Sequence, residues 1–142
     1  MRSELEERLR VAEEAVRGAE AKEEERAQLA ELERRVRAAE IRARDLPKWL
    51  ELVDEYGEDK VAKIESDIGW VVVKRPHENT YRKFVDSKLK TEDMIRFVQP
   101  CVVYPDKARF HEMRGDLPAL LQGCADACAH LAGVRRQEVS GK

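Results

Sequence analysis

The residues best suited to chemistry in this chain are its three cysteines, Cys101, Cys124 and Cys128. The last two are four residues apart, a spacing found in zinc sites, but such a site needs a second pair of ligands that the pattern does not supply. Both fall on an apolar helical stripe with Leu121 and Leu131, where a reduced cysteine behaves as a small hydrophobe. Their spacing on a helix also disfavours a mutual disulfide. The pattern predicts core positions for all three cysteines, and a thiol- or metal-dependent regulator is the alternative.

The other reactive side chains are not arranged for catalysis. The histidines are His77, His111 and His130, and nothing in the sequence places a base beside a nucleophile, as covalent catalysis requires. No two carboxylates stand out as an acid/base couple, and the glycines form no phosphate-cradling loop. We therefore expect a protein that is not an enzyme and that holds neither a cofactor nor a metal.

The composition narrows the setting of the chain. Its 142 residues are 39% charged with a formal net charge of -2, so no basic footprint favours nucleic acid as a partner. No apolar run reaches the ~18 residues needed to cross a bilayer, and the opening MRSELEERLR lacks the apolar centre of a secretory signal. An odd number of cysteines argues against a disulfide framework. These features predict a cytoplasmic protein whose partner is another protein, without membrane or nucleic-acid binding.

The elements that must position these residues fall into two parts of different composition. Residues 1–45 contain no proline and no aromatic residue, whereas all five prolines and every aromatic residue follow them. The change is sharp, at Asp45-Leu46-Pro47. We predict a charged N-terminal helix over residues 1–45, a small globular domain over residues 46–133 and a flexible tail over residues 134–142.

The N-terminal part carries apolar residues at coiled-coil spacing on a background of good helix formers. Two seams alternate three- and four-residue steps but are out of register, and the segment between them, Lys22–Arg26, is nearly all charged. The seams are Leu5, Leu9, Ala12, Val16 and Ala19, then Leu29, Leu32, Val36, Ala39, Ala43 and Leu46. We expect a weak coiled coil or a docking helix, and a solvated single helix is the alternative. The residues predicted to oligomerise are Leu5, Leu9, Val16, Leu29, Leu32 and Val36.

The second part has the pattern of a small α+β domain. Residues 60–66 and 70–75 predict two strands of one β-hairpin around the turn Asp67-Ile68-Gly69. Four to five short helices surround it, one capped by Thr91 and another by Asp106. The predicted fold class is thus α+β and mostly helical, with a long, coiled-coil-like N-terminal helix ahead of the domain.

The segment FVQPCVVYPD, residues 97–106, is the most unusual stretch of this domain. Its apolar residues continue the helical spacing that starts at Met94, so Cys101 is predicted to be buried. Pro100 would remove a hydrogen bond and clash with the preceding turn. Because the apolar period continues past it, we predict a kink there and not a break.

The order of short motifs in residues 59–133 resembles that of tail assembly chaperone-like proteins of tailed phages. The motifs are Trp70–Arg75 followed by Pro76, Thr80–Phe84, Cys101–Asp106, Gly115–Leu120 and Leu131–Gly133. The resemblance implies a non-enzymatic role in tail morphogenesis in the host cytoplasm. Such chaperones hold the tape measure protein soluble until tail tube subunits polymerise around it, so the implied partners are tape measure or tail tube proteins.

A chaperone of this kind needs an adaptable apolar surface, and methionine is common at such surfaces. Met94, Phe97, Phe110 and Met113 are the predicted partner-binding residues, and filling the core is the alternative role for each of them. A structural or adaptor subunit, held in an oligomer by the N-terminal coiled coil, is the alternative function.

Overall fold

A computed structural model describes residues 1–133, so the predicted flexible tail over residues 134–142 lies outside the described residues. The elements are α1 (Arg2–Tyr56), β1 (Val61–Ser66), β2 (Gly69–Lys74), α2 (Glu78–Val85), α3 (Thr91–Val98), β3 (Val102–Tyr104), α4 (Lys107–Asp116) and α5 (Ala119–Leu131). The chain divides into two compact units, residues 1–40 and residues 41 onward. The predicted fold class, mostly helical α+β with a long N-terminal helix, is confirmed.

The first unit consists of helix and exposes nearly every side chain to solvent. Ion pairs run along its surface, including Arg2 with Glu6 at 3.3 Å and Arg10 with Glu14 at 2.8 Å. Exposed pairs of this kind contribute little to stability, because water and salt screen them. The helix of this unit therefore depends mainly on the propensity of its alanine, glutamate, arginine and leucine residues.

The second unit is built on a three-stranded antiparallel sheet in the order β1-β2-β3. Strand β2 is the central strand, and five of its six residues are buried. Val71 and Val73 pack in one cluster with α3, α4 and α5, while Val72 packs in a second cluster with Leu52 of α1 and Val61 of β1. Both faces of β2 are covered, which explains why its sequence is continuously apolar instead of alternating.

Helix α1 does not end at the composition boundary. It continues through Pro47 to Tyr56, and Ile41, Asp45 and Leu52 of this last part are buried in the second unit. Proline costs the helix one hydrogen bond. Tertiary contacts on both sides of Pro47 hold this part of the helix in place.

The predicted kink at Pro100 is wrong, because the chain leaves the helix there. Helix α3 ends at Val98, one 3-10 turn covers Gln99–Cys101, and β3 begins at Val102. Strand β3 pairs with β2, opposite Val72 and Val73. The sheet bonds of β3 replace the helical bonds that Pro100 removes, and the predicted hairpin is therefore part of a larger sheet.

The predicted caps have mixed outcomes. Asp106 caps α4 as expected, since its carboxylate accepts a hydrogen bond from the Arg109 backbone N–H at 2.8 Å. Thr91 is instead the first residue of α3, and the cap position belongs to Lys90. The Lys90 backbone N–H donates to the Asp93 carboxylate at 3.1 Å, so the acidic residue in the first turn provides the cap interaction.

Candidate functional site

The residues predicted to oligomerise are exposed to solvent in the first unit. All six of them lie between 49% and 60% exposed. Burying one leucine or valine side chain contributes ~1.5–3 kcal/mol relative to leaving it in water. The exposed side chains of the unit therefore form a surface on which a second helix would gain free energy by packing.

These residues form two separate stripes on the helix. We call Leu5, Leu9, Ala12, Val16 and Ala19 the first seam, and Leu29, Leu32, Val36 and Ala39 the second seam. Leu9 and Leu29 are 20 positions apart, which is about five and a half turns at 3.6 residues per turn. The two seams thus lie on nearly opposite faces of a straight helix, as their different registers predicted.

The residues predicted to bind a partner in the second unit lie elsewhere than expected. Phe97, Phe110 and Met113 are only 1–2% exposed and belong to the main core cluster. Phe97 stacks on Phe84 with ring centroids 4.2 Å apart. Met94 alone is half-buried, at the edge of that core. In this structure, three of the four residues contribute to packing and are not available as a surface.

A groove between α2 and α3 was not predicted from the sequence. It has a volume of about 300 Å³ and is lined by Thr80, Lys83, Phe84, Ser87, Asp93, Arg96, Phe97 and Pro100. Arg96 pairs with Asp93 at 3.4 Å and with Glu92 at 3.8 Å. The groove combines hydroxyl, basic, acidic and aromatic groups, an arrangement that does not select one class of ligand.

Within residues 1–133, the side chain that takes part in the most hydrogen bonds is that of Asp45, which is 1% exposed. Arg44 donates two hydrogen bonds to it, from Nε at 2.8 Å and from Nη2 at 2.9 Å. The backbone N–H of Trp70 donates at 2.9 Å, and the Tyr104 hydroxyl also donates. The carboxylate therefore joins α1 to the start of β2 and the end of β3.

These donors set the ionisation of Asp45. Burial opposes the charged form, but the hydrogen bonds from Arg44, Tyr104 and the Trp70 N–H together outweigh it and lower the pKa of the carboxylate below its ordinary value of 3.8. Burial, together with the hydrogen bond to Asp45, raises the pKa of the Tyr104 hydroxyl. At neutral pH the Asp45 carboxylate is therefore ionised, and Arg44, Trp70 and Tyr104 all donate hydrogen bonds to it. This arrangement is suited to structural stability rather than to proton transfer.

The three cysteines form part of the core, as predicted. Cys124 and Cys128 are fully buried and Cys101 is 2% exposed, with its thiol donating to the Phe97 carbonyl oxygen at 3.5 Å. Burial raises the pKa of Cys124 to about 12. The neighbouring Cys101 thiol and burial both raise the pKa of Cys128. A protonated, buried thiol is a poor nucleophile.

Two of the histidines, His77 and His111, interact with residues close to them in sequence. The His77 ring accepts a hydrogen bond from the Asn79 backbone N–H at 3.2 Å and so caps α2. The His111 ring lies 2.9 Å from the Arg114 guanidinium on α4. Within residues 1–133, no group of three or more histidine, cysteine or acidic side chains is placed to hold a metal ion.

Comparison with known proteins found no match for this chain. No protein-family model, no curated protein and no solved structure matches the chain. In the part of the chain that the structure describes, no helix is both long enough and apolar enough to span a bilayer. The exposed seams of the first unit remain the arrangement with the clearest physical use, which is helix packing.

Proposed function

We propose that this chain is a non-enzymatic assembly subunit that uses its N-terminal helix to bind a helical protein partner. One observation carries the proposal: six leucine and valine side chains are about half exposed and occur at heptad spacing. The globular second unit provides a separately packed domain with its own buried core. The proposal therefore gives partner binding to the first unit.

The rival is a solvated single helix held by its own ion pairs. Such a helix is polar on all sides and needs no apolar stripe. Alanine also has a higher helix propensity than leucine or valine, so a solitary helix gains nothing from larger apolar residues at these positions. The leucines and valines of the seams are explained by a partner that covers them.

The narrower form of the proposal is a tail assembly chaperone-like subunit with a tape measure or tail tube protein as its partner. Its support is the order of short motifs over residues 59–133. Several of those motif residues, including Val71, Cys101, Leu120 and Leu131, are buried. This support therefore concerns the packing of the globular unit, and the partner needs a direct test.

The broad proposal predicts that the stability of the N-terminal helix depends on protein concentration. Circular dichroism should show the first unit melting at a higher temperature in concentrated than in dilute solution, because association stabilises the bound helix. The double substitution Leu29→Glu with Leu32→Glu should abolish this dependence.

The control is the double substitution Arg34→Ala with Arg37→Ala. It changes the net charge by the same amount at outward-facing positions, and it should behave as wild type. A melting temperature independent of both concentration and the leucine substitutions would refute self-association, and a defined helical partner would then be required to sustain the proposal.

Co-expression tests the narrower form. The full chain should increase the soluble fraction of a tape measure protein produced in the same cells. The Leu29→Glu, Leu32→Glu variant should do so less, and the double arginine variant should match wild type. An unchanged soluble fraction of tape measure protein, with no co-purification, would remove the tail-chaperone proposal.

A further inference from the structure

The charges that flank the two seams follow one rule along the whole first unit. In heptad notation, position e follows each d residue of a seam and position g precedes each a residue. The a residues are Leu9, Val16, Leu29 and Val36, and the d residues are Leu5, Ala12, Ala19, Leu32 and Ala39. Every e position is a glutamate, and the g positions are basic or uncharged. The e residues are Glu6, Glu13, Glu20, Glu33 and Glu40, and the g residues are Arg8, Ala15, Gln28 and Arg35.

This rule distinguishes between the two orientations of a helix pair. In a parallel, in-register pair, each g residue faces the e residue five positions further along the second helix, so Arg8 faces Glu13 and Arg35 faces Glu40. In an antiparallel pair, e faces e, and glutamates would oppose glutamates along both seams. Like charges in direct opposition suppress a pairing, and complementary charges set the orientation.

The four side chains of these two charge pairs are not used in ion pairs within one copy of the chain. The ion pairs of the first unit join Arg2 with Glu6, Arg10 with Glu7 and Glu14, and Arg34 with Glu31. Within residues 1–133, Arg8, Glu13, Arg35 and Glu40 make no ion pair. The residues that a parallel partner would engage are therefore those that remain without an ion-pair partner in the isolated helix.

The break between the seams can be crossed in the same arrangement. Lys22 and Arg26 continue the three- and four-residue steps from Ala19 to Leu29, with two consecutive three-residue steps on each side. Such steps overwind a coiled coil locally, so the second seam, which lies on nearly the opposite face of a straight helix, turns back toward the partner. Because the two seams are individually short, the full length of the unit is needed for a stable pair.

We propose that two copies of this chain associate through residues 5–39 as a parallel, in-register, two-stranded coiled coil. The inference rests on the proposed function, in that it names a second copy as the helical partner. It adds the identity, orientation and register of that partner.

A cysteine placed in a seam tests the register in the full chain. In the proposed pair, Leu32 lies against Leu32 of the second copy, so Leu32→Cys should form an intermolecular disulfide in high yield under mild oxidation. Arg34→Cys, which faces outward, should give little. The three native cysteines are buried and leave a low background. Light scattering on the same unoxidised samples reports association independently.

The outcomes separate the two proposals. Cross-linking at position 32 but not at position 34 supports the parallel pair. Dimers by light scattering without cross-linking at position 32 overturn the orientation and leave the assembly function standing. Monomers at every concentration overturn self-association, and the proposed function then depends on the tape measure experiment.

A charge exchange gives a second test. The variant Arg8→Glu with Arg35→Glu should associate with itself roughly tenfold more weakly, since four exposed attractive pairs become repulsive in the symmetric dimer. Mixing it with the variant Glu13→Arg, Glu40→Arg should restore association as a heterodimer. Self-association of the first variant at wild-type strength would contradict the proposed charge pairing.

Discussion

Asp45 attaches α1 to the sheet of the second unit through hydrogen bonds. Its carboxylate is buried and receives hydrogen bonds from Arg44, Trp70 and Tyr104. A buried carboxylate is stable only when its oxygens are paired in this way. The partners other than Arg44 are 25 and 59 positions away in sequence, so the contacts join distant parts of the chain.

Asp45→Asn should lower the free energy of unfolding by about 3 kcal/mol at neutral pH, since it leaves donors in a buried network without their charged acceptor. The folded-state pKa is lowered, so the stabilisation is present above the ordinary value of 3.8 and is lost as pH falls through the folded-state pKa. The difference in stability between wild type and variant should therefore shrink below about pH 4. Urea unfolding at several pH values measures this difference.

Asp54→Asn, exposed on the same helix, serves as the control for Asp45→Asn. An equal effect of both substitutions would contradict the role of Asp45.

The cysteines give a second prediction at this scale. In the native chain, a soluble thiol reagent should modify all three only as fast as the second unit opens. Because the native rate is limited by opening and not by the thiolate fraction, raising the pH to the ordinary thiol pKa of 9.0 should accelerate labelling of Cys124 much less in the native chain than in the urea-unfolded chain. Mass spectrometry of timed samples gives the rates. Rapid native labelling of any cysteine would show that the cluster is open to solvent.

At the scale of elements, the turn between β1 and β2 is tied to the Asp45 network through Gly69. Gly69 has a φ of +150°, and a Cβ there would lie 2.7 Å from Nη2 of Arg44. Arg44 would have to move, and its bonds to Asp45 would be weakened. The turn and the helix therefore constrain each other.

Gly69→Ala should destabilise the second unit by about 2 kcal/mol, from backbone strain and displacement of Arg44. Gly115→Ala is the matched control, because it lies in α4 with open space around its Cβ position and should be neutral or stabilising by up to about 1 kcal/mol. The urea midpoints of the two variants provide the comparison. A Gly69→Ala protein as stable as the Gly115→Ala protein would disprove the steric argument.

Elements whose local pattern agrees with their environment could be predicted from sequence. Strand β2 was predicted because β-branched residues and burial favour the same structure, and α5 because its apolar stripe faces one core. Strand β3 was missed because it has only three residues, and its structure depends on pairing with β2. The continuation of α1 through Pro47 was missed because its tertiary contacts outweigh the local preference of proline.

The candidate sites also divide into features that local sequence determines, which could be predicted, and features that tertiary contacts determine, which could not. The exposed seams could be predicted because heptad spacing is a local property of one helix. The Asp45 network could not, since its donors are distant in sequence and an isolated aspartate gives no signal. Phe97, Phe110 and Met113 could not be assigned to core or surface, because spacing on a short helix shows a shared face but not what covers it.

At the scale of the molecule, the division into units predicts where the chain can be shortened. A chain that starts at Ile41 retains Ile41 and Asp45, both buried in the second unit, and should unfold cooperatively. A chain that starts at Leu46 lacks both residues and should be less stable by several kcal/mol, roughly the combined cost of a lost core side chain and a lost buried acceptor. Urea unfolding of the two shortened chains measures the difference. Equal midpoints would show that residues 41–45 do not contribute to the folded unit.

The central claim is that the exposed seams of residues 5–39 are an interface between chains. Sedimentation equilibrium of the unmodified chain over a wide range of concentrations tests it most directly. We predict a mass that rises with concentration from the 16.4 kDa of one chain toward twice that value. A mass that stays at that of one chain up to the highest soluble concentration would contradict the claim.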